Sequence, residues 1–147
     1  MLTKRDRVAR PWTDTLARQH FCQIMLERIA AGEPLAQVLE HVLHAIEAQS
    51  SVELRSSIAL VDETGAYLVH AAAPSLPDAY NAAVDRAPIG PAAASWGKAA
   101  YTGCPVYVED IASNPGWKPW RDLALAHGLR ACWSTPIKAS DGRVLGT

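Results

Sequence analysis

Residues 58–73, IALVDETGAYLVHAAA, decide the fold class of this chain. Two largely apolar runs flank the turn-forming sequence Asp-Glu-Thr-Gly at 62–65, and this arrangement is typical of a β-hairpin. A second turn, Asp141-Gly142, separates a predicted strand at 130–137 from a final strand that begins at Val144. Because tight hairpins join antiparallel strands, both pairs predict an antiparallel sheet.

Helices are predicted on both sides of the first hairpin. Residues 34–46 have the clearest helical period in the sequence, which favours packing against a sheet or another helix. An earlier helix is expected over residues 14–31. Ser75 and Asp78 resemble a capping box, and Ser95 is a suitable cap for a further short helix. Shorter elements are helices at 76–84, 96–102 and 118–127, a loop at 85–95 and a strand at 105–111. The prediction is an α+β domain, with a central antiparallel sheet covered by helices and an N-terminal helix.

Length and composition restrict the classes of function. A chain of 147 residues is one domain's worth, and a net charge of -1 gives no basic stripe for nucleic acid. No apolar run approaches the ~18 residues of a membrane span, and no secretory signal is visible. The three cysteines, Cys22, Cys104 and Cys132, form no CxxC pair and suggest neither a disulfide framework nor a zinc site. These features favour the cytoplasm.

Several strings between residues 59 and 147 resemble, in order, the GAF family of ligand-sensing domains. The likeness covers about residues 33–147, which leaves residues 1–32 as a lead-in followed by a linker or dimerisation helix. The strings are ALVDETG at 59–65, AAPSLP at 72–77 followed by Tyr80, IGP at 89–91 followed by Ser95 and Gly97, VEDI at 108–111, GLRACWSTPI at 128–137 and DGRVLGT at 141–147.

The resemblance implies a role in signal input, in which the domain binds a small molecule or a partner domain and flanking helices transmit the change. The subgroup that it indicates lies upstream of diguanylate cyclase or histidine kinase modules in bacterial signalling proteins. Family members usually continue the last strand into a signalling helix, so a strand that stops at Thr147 indicates a piece of a longer protein. We expect a homodimer through residues 14–31, although this helix could instead fold back on the domain's own sheet. Its apolar stripe is Phe21, Cys22, Met25, Leu26 and Ile29.

Four tryptophans fall in segments that line the pocket of GAF domains. Aromatic side chains give a pocket apolar area, and an indole N–H gives a directional donor. A tryptophan stands at position 96, where the subgroup more often has cysteine or a small residue. It could therefore stack on a ligand or fill the pocket, and all four could simply form the core. The candidate ligand-binding residues, for a planar or anionic small molecule, are Tyr80, Trp96, Asp110, Trp117, Trp120, Arg121 and Trp133. Asp110 could alternatively end a strand or cap the segment after it.

No cofactor can be named from the sequence. His41 and His44 have the spacing of two metal ligands, but they lie opposite the apolar stripe of their helix, so no metal is expected. No motif for haem or for covalent bilin attachment is present. Free methionine-(R)-sulfoxide reductases also resemble GAF domains and use pocket cysteines, but Cys104 and Cys132 do not match the catalytic positions. We therefore predict a sensory domain that is not an enzyme, with a dimerisation or scaffold module as the competing class.

Overall fold

The computed structural model describes residues 15–147. The predicted lead-in at 1–12 and the candidate caps Thr13 and Asp14 lie outside these residues. The described helices are α1 (Thr15–Ala30), α2 (Leu35–Ala48), α3 (Asp78–Val84), α4 (Ser95–Thr102) and α5 (Arg121–Ala126), with a 3₁₀ helix at Pro115–Trp117. The described strands are β1 (Ile58–Val61), β2 (Tyr67–Ala72), β3 (Ala87–Pro88), β4 (Val106–Val108), β5 (Cys132–Ser134), β6 (Ile137–Lys138) and β7 (Val144–Gly146).

The described residues form two compact units, the first of which comprises residues 15–57 and 72–75. In this unit α1 packs on α2, and Glu33 in the connection binds Arg28 at 2.9 Å and lies 3.4 Å from His41. None of the residues of α1 is buried, whereas α2 buries Val38 and Leu43.

Glu47, near the end of α2, organises the remainder of the first unit. Its carboxylate accepts hydrogen bonds from the backbone N–H of Ser56 at 2.6 Å and from the hydroxyl groups of Ser56 and Ser75. The predicted capping box at Ser75 and Asp78 is therefore wrong, because the Ser75 hydroxyl is engaged by Glu47. Helix α3 begins at Asp78 after Pro77 and has no side-chain cap.

The second unit, residues 58–71 and 76–147, contains an antiparallel sheet in the order β3-β2-β1-β7-β6. Leu60 is paired with Gly146, and Tyr67 with Pro88. Strand β3 lies in the segment that was predicted as a loop. Proline lacks the N–H that a central strand must donate, so Pro88 argued against a strand here. An edge strand such as β3 tolerates proline, because one of its sides has no partner strand.

Strands β4 and β5 form a second antiparallel pair, on which α4 packs. The single strand predicted at 130–137 is divided into β5 and β6 by Thr135 and Pro136. Pro136 cannot donate to a neighbouring strand, which interrupts the ladder at this point. The α+β fold class, with its five-stranded antiparallel sheet and N-terminal helix, is confirmed.

Across residues 15–147, the helices are all too short or too polar to span a lipid bilayer.

Candidate functional site

The core of the second unit lies between α3, α4, α5 and the β4–β5 pair. Six residues from these elements and their connections are buried together: Tyr80, Ala94, Val108, Ile111, Trp117 and Ala124. Trp96, Trp120 and Cys132 are partly buried against them. Four of the seven candidate residues are thus brought into or against one cluster by four different segments of the chain.

Trp96, Trp117 and Trp120, here called the tryptophan cluster, pack edge to face. The ring of Trp96 lies 4.6 Å from that of Trp117 at an interplanar angle of 83°, and 6.3 Å from that of Trp120 at 61°. Such edge-to-face pairs contribute about 0.5–1.5 kcal/mol beyond the area that they bury. Trp96 lies in the first turn of α4, whereas the other two indoles lie on the 3₁₀ helix and immediately before α5, so the contacts join three elements.

Arg121 adds a charged side chain to the segment that carries Trp117 and Trp120. Its Nη2 donates to the backbone oxygen of Asn114 at 3.0 Å, and the same oxygen accepts from the backbone N–H of Trp117 at 3.2 Å. Asn114 also caps the 3₁₀ helix, because its side-chain oxygen accepts from the N–H of Gly116 at 3.0 Å. Arg121 and Trp117 are therefore held by one short, internally hydrogen-bonded segment.

A chain of small polar groups joins α4 to β5 beside the core cluster. Ser134 Oγ donates to Ser95 Oγ at 3.0 Å, and Ser95 Oγ lies 3.1 Å from Cys132 Sγ. Ser95 was predicted as the cap of α4, but it is the first residue of the helix and is buried with its hydroxyl turned to β5. The prediction was wrong because these partners lie 37 and 39 residues further along the chain.

Burial shifts the two titratable groups of this region in the same direction. It raises the pKa of the Cys132 thiol to about 11, although the hydrogen bond with Ser95 partly opposes the shift. Burial, with a smaller contribution from the charge of Cys132, raises the pKa of Tyr80 to about 12. Both groups are therefore neutral near pH 7. The ring of Tyr80 also packs edge to face on His127, at 5.7 Å.

Asp110 and Trp133 lie outside the cluster. The Asp110 carboxylate accepts from Ser113 Oγ at 2.6 Å and from the N–H of Ala112 at 3.1 Å, so it caps the turn after β4. The hydrogen bond from Ser113 is the main reason why the pKa of this exposed carboxyl is lowered. Trp133 is 40% exposed and lies opposite Tyr107 in the β4–β5 pair. Because side chains alternate along β5, Trp133 faces away from the side that Cys132 and Ser134 occupy, and its role in ligand binding stays a prediction.

Two open grooves border the second unit. The one beside the tryptophan cluster has a volume of about 290 Å³ and is lined by Pro88, residues 90–94, Gly116, Pro119 and Trp120. The larger one, of about 480 Å³, lies between the turn at 62–65 and residues 143–145, with Ile89 and Ala100. None of the seven predicted site residues lines the larger groove.

Comparison with known proteins identifies the family. A family model described as a GAF domain matches residues 32–147, so the chain belongs to the GAF domain family. It is 36% identical over 122 residues to a methyl sulfide methyltransferase-associated sensor from Methanosarcina acetivorans. That match covers 83% of this chain but only 12% of the relative.

Solved structures share the fold. A GAF domain from A. aeolicus, crystallised in an inactive state, is similar over 89% of this chain and 76% of that chain, with 20% identity and a TM-score of 0.62. The free methionine-R-sulfoxide reductase of Neisseria meningitidis, solved with its substrate, is similar over 91% of this chain and 72% of that chain. In that case the identity is 22% and the TM-score 0.59.

Ser95 and Ser134 were not identified from the sequence as neighbours of the site, and Cys132 was considered only as a thiol that does not match the catalytic positions of the reductases. One signal could have found them: if Trp133 faces outward on a strand, both of its neighbours must face inward. The backbone oxygen of Asn114 accepts from both Trp117 N–H and Arg121 Nη2, and this role depends on the fold of the segment 114–121, which no local pattern reveals.

Proposed function

We propose that this chain is the signal-input domain of a longer signalling protein, and that the tryptophan cluster is where it recognises a small molecule. The observation that carries the proposal is the convergence of Tyr80, Trp96, Trp117 and Trp120 onto one apolar cluster. Arg121 is tied to the same segment as Trp117 through the backbone oxygen of Asn114. Membership of the GAF family and the match to a protein named as a sensor support it.

Ligand binding would act by favouring one packing of the cluster over another. Trp96 lies in the first turn of α4, whereas Trp117 and Trp120 belong to the segment before α5, so a guest between them would change the spacing of these elements. A ligand shifts such an equilibrium only by its difference in affinity for the two packings. In the proposed full-length protein, flanking helices carry the change to an output domain such as a diguanylate cyclase or histidine kinase.

We further propose that residues 1–32 act as a lead-in and dimerisation helix, and residues 33–147 as the sensory domain. Two members of the predicted stripe, Phe21 and Met25, are partly buried, whereas Leu26 and Ile29 are 66% and 56% exposed. A second copy of α1 could cover these exposed side chains. The proposal places the protein in the cytoplasm, where its three free cysteines would stay reduced.

The proposal assigns no enzymatic activity to the domain. A thiol-based reductase needs an accessible thiolate, whereas the Cys132 thiol beside the site is largely buried and its pKa is raised to about 11. Cys22 and Cys104 are exposed, and neither belongs to or packs against the core cluster. Consumption of free methionine sulfoxide by the protein with a thiol reductant would contradict this assignment.

The competing proposal is a scaffold module whose pocket is filled by its own side chains. The 4.6 Å contact between Trp96 and Trp117 favours it, because indoles in contact leave no room between them. A thermal-shift screen of the full chain against a panel of small metabolites separates the two. Sensing predicts that a chemically related set raises the melting temperature, as binding to the native state requires. A scaffold module predicts no shift with any member of the panel.

A further inference from the structure

Two buried N–H groups in the segment 114–121 have no acceptor. Trp117 Nε1 and Arg121 Nε are fully buried, and neither has a hydrogen-bond partner among the residues that the structure describes. Trp117 as a whole is only 2% exposed. A buried donor left without an acceptor costs about 1–3 kcal/mol, so two of them on one segment require an explanation.

The two residues that carry these donors contact the same carbonyl group through other atoms. The backbone oxygen of Asn114 binds the backbone N–H of Trp117 and the Nη2 of Arg121. In the planar guanidinium, Nε is fixed relative to Nη2, so Arg121 Nε cannot turn away while that bond is made. The two donors without acceptors are therefore restrained on one 3₁₀ turn and the residues that follow it.

The neighbouring carboxylate does not meet this need. Asp110 is close enough for the charge of Arg121 to contribute to its lowered pKa, but its oxygens accept from Ser113 and Ala112. Its negative charge nevertheless offsets that of the guanidinium. A neutral acceptor such as a carbonyl oxygen therefore fits this place without a second negative charge beside Asp110.

The apolar walls for such a guest adjoin the donors. Gly116 and Trp120, which immediately precede the two donor residues, line the groove of about 290 Å³. Residues 90–94 form its other side, and their approach is close: a Cβ added to Gly116 would lie 3.2 Å from the backbone oxygen of Ala93.

We propose that the segment 114–121 binds a compact, mainly apolar molecule through one carbonyl-type oxygen, which accepts hydrogen bonds from Trp117 Nε1 and Arg121 Nε. This inference rests on the proposed sensory function and specifies the chemistry of its ligand. The indole rings supply the apolar contact, and the two N–H groups distinguish an oxygen-bearing molecule from a hydrocarbon of the same shape.

The test uses a matched pair of probes, acetophenone and α-methylstyrene, which differ by replacement of the carbonyl oxygen with a methylene group. Both indole and guanidinium N–H groups give resolved signals in ¹⁵N NMR spectra of the full chain. Acetophenone should shift the Trp117 Nε1–H and Arg121 Nε–H signals saturably. The signal of the exposed Trp133 indole serves as the internal control and should not move.

The variant Trp117→Phe keeps an aromatic ring and removes one donor. It should weaken acetophenone binding about fivefold more than it weakens any binding of α-methylstyrene, because only acetophenone loses the equivalent of one typical hydrogen bond. Trp133→Phe is the matched control and should alter neither. The wild-type titration does not depend on the variant, so the proposal remains testable if Trp117→Phe does not fold.

Three results would overturn the inference: equal responses to both probes, no response of the two N–H signals to either probe, or unchanged acetophenone affinity in folded Trp117→Phe. These failures are distinguishable from failure of the sensory proposal. If the metabolite screen finds stabilising ligands that lack an acceptor oxygen, sensing stands and the carbonyl requirement is wrong. If that screen finds none, the sensory proposal itself is contradicted.

Discussion

At the scale of single residues, the two tryptophans at positions 96 and 133 illustrate how local chemistry misleads. Both are aromatic residues in segments that line the pocket of GAF domains, yet Trp96 packs on two other indoles and Trp133 lies exposed beside Tyr107. The difference depends on which face of its element each residue occupies. Substitutions at these two positions should therefore have very different consequences.

Replacing Trp96 with alanine tests whether the indole fills the core. The substitution removes the ring that contacts both Trp117 and Trp120, and it should lower the free energy of unfolding by about 3 kcal/mol. Trp133→Ala, the control, should cost less than about 1 kcal/mol, because only a half-exposed cross-strand pair is lost. Urea denaturation measures both, and equal costs would show that Trp96 has no special place in the core.

The buried thiol of Cys132 predicts a pH dependence. The folded-state pKa is raised from 9.0 to about 11, so above pH 9 the unfolded chain releases a proton that the folded chain retains. Stability should consequently fall as the pH rises from 9.0 towards 11. Urea midpoints measured at about pH 8 and about pH 10 should differ more in the wild type than in Cys132→Ser. The same decline in both proteins would exclude Cys132 as its source.

At the scale of elements, the sequence located most helices and strands but not their interruptions. The alternation around 58–61 and the helical period at 34–46 are local properties, and β1 and α2 were found from them. The division of one predicted strand by Pro136, the edge strand β3 and the engagement of Ser75 by Glu47 depend on distant partners. The tryptophan cluster was foreseen only in part, because the direction of each side chain depends on the packing of whole elements.

Helix α4 tolerates no side chain at Gly97. A Cβ there would overlap the backbone oxygen of Pro88 and lie 2.7 Å from the Cβ of Ala93. Gly97→Ala should therefore destabilise the protein by about 1–3 kcal/mol, although alanine normally favours a helix by about 1 kcal/mol. Gly90 is a matched control, since a Cβ there has open space and its backbone has no positive φ. If Gly97→Ala melts at or above the wild-type temperature, this packing is not as described.

The exposed apolar side chains of helix α1 predict a homodimer. Leu26 and Ile29 are exposed, so the double substitution Leu26→Glu and Ile29→Glu should convert a dimer into a monomer without loss of the α-helical circular dichroism signal. His20→Glu changes an exposed residue of the same helix away from this pair and should leave the dimer intact. Sedimentation velocity provides the measurement. A wild-type protein that is monomeric at tens of micromolar would contradict dimerisation through α1.

At the scale of the whole molecule, the order of the elements along the chain indicated its family. Local strings from residue 59 to residue 147 pointed to a GAF domain, and the family match over residues 32–147 confirms it. The chain also matches a much longer sensor protein, of whose length it spans 12%. The fold alone does not assign a function, because a reductase with the same architecture is also similar to this chain.

The central claim is that the tryptophan cluster of this GAF domain holds a small molecule. The most direct measurement compares native and denaturing mass spectra of the protein after incubation with a small-molecule metabolite extract. The account predicts that the native wild-type protein and Trp133→Phe carry an added small mass that denaturation releases. The same adduct should be absent from, or much weaker in, Trp117→Phe. A wild-type protein that shows only its bare mass, or an adduct that Trp117→Phe retains in full, would contradict the claim.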